Sequence, residues 1–141
     1  VSEEIRTADM SLAASRVSAR QPVRAGLLGL QRRLAGDGGA VLDGRDIGTV
    51  VFPDAEVKIF LTASLDTRAR RRYLELKARD EIVPLERIRK EIEKRDRDDS
   101  SRALAPLRQA EDAVVVDTSD LSPTEVVERM AAVVNEKWKS S

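Results

Sequence analysis

Apolar residues in this chain fall into short strand-sized runs separated by longer amphipathic stretches, and this alternation restricts the fold more than any other feature. Residues 40–42, 57–61 and 113–116 read as strands. Between and around them the spacing turns helical. From Thr7 to about Arg20, Met10, Leu12, Ala13 and Val17 fit a short amphipathic helix. Pro22 suits the first turn of a second helix, with Leu27, Leu28, Leu30 and Leu34 as its expected buried side. The glycines at 36 to 39 end it. Ser64 and Asp66 are alternative N-caps for a helix through about Lys77, and Pro84 opens another with Leu85, Ile88 and Ile92 on one stripe. Ser122-Pro123-Thr124-Glu125 spells a capping box for a last helix, expected to bury Val127, Met130, Val134 and Trp138. Strands alternating with helices predict an α/β fold with a parallel sheet. Three short strands are few for such a sheet, which is normally covered on both faces.

Composition narrows the chemistry. At 141 residues and 41% hydrophobic content, the chain has one domain's worth of material and enough apolar surface for a core. It has no cysteine and no histidine, which removes disulfides, thiol nucleophiles and imidazole bases. No apolar run approaches the roughly 20 residues of a membrane span, and no signal peptide opens the chain, so a cytoplasmic protein is expected. A formal net charge of zero argues against a dedicated nucleic-acid binder. Of the 25 basic residues, 19 are arginine, whose planar fork matches phosphate and carboxylate oxygens. An arginine-rich compositional bias explains the same count equally well.

Four clusters carry candidate chemistry. The first is Asp43-Gly44-Arg45-Asp46-Ile47-Gly48, where an expected strand ends in adjacent opposite charges and the glycines let the backbone bend. Open α/β sheets bind ligands beyond the carboxyl ends of their strands, so this is a recognition corner; the plain alternative is a strand-end ion pair. The second is Ala13-Ala14-Ser15-Arg16-Val17 followed by Pro22-Val23-Arg24. The third is Arg95-Asp96-Arg97-Asp98-Asp99-Ser100-Ser101-Arg102, leading to Pro106-Leu107. Arg95 and Asp99 are four apart and Asp99 and Arg102 three apart, so they can gather on one helix face. An ordinary solvated charged face would look the same. The fourth is Arg68-Ala69-Arg70-Arg71-Arg72-Tyr73, a basic turn that needs an anion or carboxylates to neutralise it.

Residues 43–55 resemble the Asp/Glu-Gly-Arg-Asp-Ile-Gly-Thr-Val-Val-Phe-Pro-Asp-Ala signature of bacterial cytidylate kinases. The second cluster is similar to that family's Ala-Ala-Ser … Pro-x-Val-Arg pattern, one residue tighter, and the third to its Arg-Asp-x-x-Asp-x-x-Arg-x-x-x-Pro-Leu. The resemblance implies a P-loop nucleoside-monophosphate-kinase-like α/β fold with a parallel sheet and flanking helices. That fold would be incomplete here: no glycine stands directly before any lysine, so a Gly-x-x-x-x-Gly-Lys-Ser/Thr loop is missing, and with it the family's N-terminal central strand. The expected organisation is residues 1–36 as the C-terminal part of a CMP-binding region, and residues 37–141 as the core segment with a helical lid at about 64–98.

The implied activity is transfer of the ATP γ-phosphate to CMP or dCMP with Mg²⁺, by an enzyme monomeric when complete, with the chain alone inactive. Cytosine presents an amino donor beside two acceptors, an outline that a carboxylate and a guanidinium can match while rejecting uracil. The resemblance assigns Asp46 to the cytosine amino group and Arg45 to the nucleotide phosphate. Ser15 and Arg24 would complete base recognition, Asp99 and Arg102 would hold the sugar, and Arg95 would lie near phosphate or sugar. Arg71, with Arg68 and Arg72, would stabilise the transferring phosphoryl group from the lid. A different class remains open: a non-catalytic arginine-rich module docking on nucleic acid or protein, with binding that collapses as salt rises.

Overall fold

The structure is a computed structural model and describes residues 5, 7–18, 20–36, 39–101 and 107–140. Helices α1 (Ala8–Ser18) and α2 (Gln21–Ala35) lead into an extended stretch and a π-helical turn, Ile47–Val51. Strand β1 (Ile59–Thr62) follows, then α3 (Leu65–Lys77), α4 (Leu85–Ser100), β2 (Val114–Asp117) and α5 (Pro123–Ser140). The two strands pair in parallel, with Ile59 opposite Val114 and Thr62 opposite Asp117. The crossover between them is the α3–α4 hairpin, the long connection that parallel pairing requires.

Local sequence chemistry sets most element ends. Ser64 is the N-cap of α3, its Oγ accepting from Thr67 N at 3.1 Å, while Asp66 lies in the first turn. The capping box forms in both directions at α5: Glu125 N donates to Ser122 Oγ at 3.3 Å and Ser122 N to Glu125 Oε2 at 2.7 Å. Those bonds hold the Glu125 carboxyl below its ordinary range, the Ser122 side chain first among the causes. Gly36 closes α2 at φ 57°, a conformation that costs glycine little. Pro84 precedes the first residue of α4.

The tightest apolar packing lies inside the crossover. Ala69 and Leu76 of α3 meet Ile88 of α4, with Tyr73, Val83 and Ile92 around them. The expected Ile88–Ile92 stripe is therefore real, although Leu85 stays exposed.

Three expectations are corrected. Residues 40–42 form no strand: the segment has no ladder partner among the described residues, and Val41 is 99% exposed. On α5, Val127, Val134 and Trp138 face solvent, whereas Val133 is buried and Val126 and Met130 are half-buried. The helix has two neighbouring apolar stripes, and β2 covers the one at 126, 130 and 133 rather than the one at 127, 134 and 138. Likewise α2 exposes Leu27, Leu30 and Leu34 and turns Arg24, Leu28, Gln31 and Ala35 partly inward. In both helices the period is as read and the phase differs, because spacing alone does not say which face meets a neighbour. No described helix is long and apolar enough to cross a membrane.

Candidate active site

The corner is built by α2, the segment after residue 43 and the C-terminal half of α4. Asp46 closes the extended segment, and its carbonyl starts the π-helical turn by accepting from Val50 N at 2.9 Å and Val51 N at 3.2 Å. Phe52 N reaches Ile47 O at 2.7 Å to complete it. The chain bends at residues 44–46 as expected, although neither Gly44 nor Gly48 adopts a positive φ to do so. They provide room. A side chain at 44 would meet Ile47 at 2.7 Å, and one at 48 would press on the Lys58 stem at 3.3 Å.

Two ion pairs converge on this corner. Arg24 of α2 donates from Nη2 to Asp46 Oδ2, both groups partly buried, and from Nη1 to Ser18 O at 3.4 Å. Arg45 Nε donates to Asp99 Oδ2 at 2.6 Å, and Arg95 Nε lies 3.8 Å from the same oxygen. Asp99 is buried, its side chain 5% exposed, while Arg45 and Arg95 stay half in solvent. Residues 45 and 46 are adjacent, so the backbone joins the Arg24–Asp46 pair to the group of Arg45, Asp99 and Arg95. Among the described residues these pairs set three guanidiniums against two carboxylates, a balance that suits an anionic ligand. Ser15 lies in α1 with its side chain outside the described part, and Arg102 lies outside the described residues.

The arginines of α3 are engaged elsewhere. Arg68 grips Asp96 of α4 with both terminal nitrogens, at 2.8 and 2.7 Å, a bidentate fork, and donates from Nε to Ala63 O at 3.1 Å. Arg71 reaches across to the segment after β2, donating to Thr118 Oγ1 at 3.0 Å, to Thr118 O, and to Leu121 O at 3.2 Å. Arg72 pairs with Glu75 at 3.0 Å on its own helix. Arg68 and Arg71 thus bond carbonyls immediately past the ends of β1 and β2, the rim where open sheets take ligands. Asp96 and Asp99 are about one turn apart on α4, so that helix links Arg68 to the corner.

Two participants escaped sequence reasoning. Arg32 of α2 donates from Nε to Val51 O at 2.9 Å and from Nη2 to Val50 O at 3.0 Å, closing the far end of the π-helical turn. Nothing in the sequence separates it from Arg33 beside it. The Lys58 side chain is only 8% exposed, and its Nζ donates to Pro53 O and, at 2.6 Å, to Asp112 Oδ2. That bond is the main cause of the lowered pKa of the exposed Asp112 carboxyl. A lone lysine between Val57 and Ile59 was a readable signal.

Fold and site together define an α/β protein with an arginine- and carboxylate-lined corner suited to a small anionic ligand. The cytidylate kinase family model matches residues 1–136, and the chain belongs to the cytidylate kinase family. It is 57% identical to the cytidylate kinase of Syntrophotalea carbinolica, over 97% of this chain and 58% of that protein. It is 51% identical to the cytidylate kinase of Geobacter sulfurreducens, over 100% of this chain and 60% of that protein. A bifunctional pantoate ligase/cytidylate kinase of Synechococcus is 47% identical over 100% of this chain and 26% of its own length. The chain spans about three-fifths of the length of the single-function relatives it matches.

Proposed function

We propose that this chain forms the acceptor-binding corner and helical lid of a kinase that transfers the ATP γ-phosphoryl group to CMP or dCMP. An oxygen of the CMP phosphate attacks the γ-phosphorus, the bond to the bridging oxygen breaks, and ADP leaves with CDP as the other product. The observation that carries the reading is the Arg24–Asp46 and Arg45–Asp99 constellation, on a chain matched over nearly its whole length by the family. Asp46 would accept from the cytosine amino group while Arg24, already paired to it, fixes the carboxylate's direction. Arg45 would turn from Asp99 toward the nucleotide phosphate, and Asp99 with Arg95 and Arg102 would hold the sugar end. Ser15 would complete the base contact. Arg68, Arg71 and Arg72 would serve the phosphoryl group from the lid. Residues 1–36 would then supply one wall of the acceptor site, and residues 37–141 the rest, with the lid at about 64–98.

The arginine-rich docking module has less support, because Arg68, Arg71 and Arg72 all have protein partners and do not form a bare basic face. Mg²⁺ would accompany ATP. Among the described residues no group of three or more carboxylates could hold it, so no step is assigned to a protein-held ion. We place the enzyme in the cytoplasm as a monomer. The 141 residues contain no Gly-Lys phosphate loop, so this chain alone should neither transfer phosphate nor bind CMP tightly.

The test is a phosphoryl-transfer assay on the full-length product of the gene encoding this chain, offering CMP, dCMP, UMP and AMP with Mg-ATP. Preferential formation of CDP and dCDP is expected. Equal use of UMP, or no transfer to any monophosphate, would overturn the reading. Calorimetric titration of CMP into the 141-residue chain should show little or no heat.

A further inference from the structure

The π-helical turn is held at both ends by one helix. Arg24, near the start of α2, pairs with the Asp46 side chain, and Arg32, two turns later, donates to the carbonyls of Val50 and Val51. The amides of those same two residues donate to the Asp46 carbonyl. Val50 and Val51 are therefore clasped between the Asp46 backbone on one side and the Arg32 guanidinium on the other. The last carbonyls of a helical turn lack partners within it and carry its negative end, so a fixed cation there is favoured. Val51 is also buried, which leaves its carbonyl little access to water as a substitute.

We infer that Arg32 is a positioning residue for Asp46 and so for acceptor-base discrimination, an inference that rests on the function proposed above. The mechanical path is short: Arg32 fixes two carbonyls, their residues fix the Asp46 carbonyl, and the Asp46 carboxylate takes its direction from that backbone and from Arg24. Without Arg32 the turn can unwind toward solvent, and the carboxylate loses its setting while keeping its charge. The residue itself stays on the outer side of the turn and touches no assigned ligand group.

Arg32→Ala, Arg32→Gln and Arg32→Lys, made in the full-length protein, test this with steady-state kinetics on CMP, UMP and ATP. For Arg32→Ala the KM for CMP should rise, and the CMP-over-UMP ratio of kcat/KM should fall, on the order of tenfold. The KM for ATP should stay unchanged. Arg32→Lys, which can still reach one carbonyl, should recover part of the loss. If Arg32→Ala fails to fold, the Gln and Lys variants carry the same comparison. An unchanged CMP-over-UMP ratio, or KM values for CMP and ATP rising together in a folded variant, would overturn the inference while leaving the kinase reading intact. A wild-type protein that does not phosphorylate CMP would overturn both.

Discussion

Asp46 does two jobs with two different groups: its carbonyl nucleates the π-helical turn and its carboxylate pairs with Arg24. Substituting the side chain separates them, because the carbonyl remains. Asp46→Asn in the full-length protein keeps an acceptor toward Arg24 but presents an amide of ambiguous direction to a cytosine amino group. The expected outcome is a CMP-over-UMP preference lowered by tenfold or more, on the order seen when a polar contact is lost from a specificity pocket. Competitive assays with both monophosphates would measure it, and unchanged preference would remove Asp46 from the base contact. At this scale the sequence was informative where a charge interrupts a motif. Arg45, Asp46, Arg24, Arg95 and Asp99 were all singled out, and the structure gathers them. Arg32 was illegible, since a guanidinium at a helix end looks the same whether it meets water or a carbonyl two residues inside a turn.

Among the elements, the α3–α4 hairpin carries the densest packing and should dominate the stability of this chain. Ile88 is almost fully buried against Ala69 and Leu76, with Tyr73, Val83 and Ile92 around them. Ile88→Ala should therefore lower the unfolding free energy by about 2–4 kcal/mol. Urea titration followed by circular dichroism would show this as a lower midpoint, and a loss under 1 kcal/mol would mean the hairpin is not the core. The helix starts were legible because capping is local: Ser64, Pro84 and the Ser122–Glu125 box mark them within a residue. Buried faces were not. Helix α5 carries two apolar stripes and α2 turns a mixed face of Arg24, Leu28, Gln31 and Ala35 inward, so choosing the buried face requires knowing where β2 and the π-helical turn lie. Residues 40–42 failed as a strand for the same reason, since ladder formation depends on a partner and not on the segment's own composition.

For the molecule as a whole, the lowered carboxyl pKa values set the direction of its response to acid. Asp112 is held down chiefly by Lys58, Asp117 by the Ser119 hydroxyl, and Glu125 by Ser122. A carboxyl with a depressed folded pKa adds stability above its unfolded pKa, and that contribution disappears as pH falls through the folded value. Stability should thus be flat from neutral pH down to about 5 and decline below about 4. All three groups are exposed, so the slope should be shallow. Denaturation midpoints at a series of pH values would test it, with Asp117→Asn expected to flatten the acid limb. The fold class was readable because strand and helix periods alternate along the chain. The extent of the sheet, two strands among the described residues, was not, because pairing is decided between distant segments.

The bonds of Arg68 and Arg71 differ in what they join, and this sets how the hairpin can move. Arg68–Asp96 and Arg89–Asp66 both link α3 to α4, so they travel with the hairpin if it swings as one body. Arg71 with Thr118 and Leu121, Thr67 with Ser119, Arg68 with Ala63, and Asp99 with Arg45 are among the bonds that tie that body to its surroundings. A swing of the hairpin as one body would strain the bonds at the rim and the bond at the corner together, so opening the rim and loosening the corner are one mechanical event.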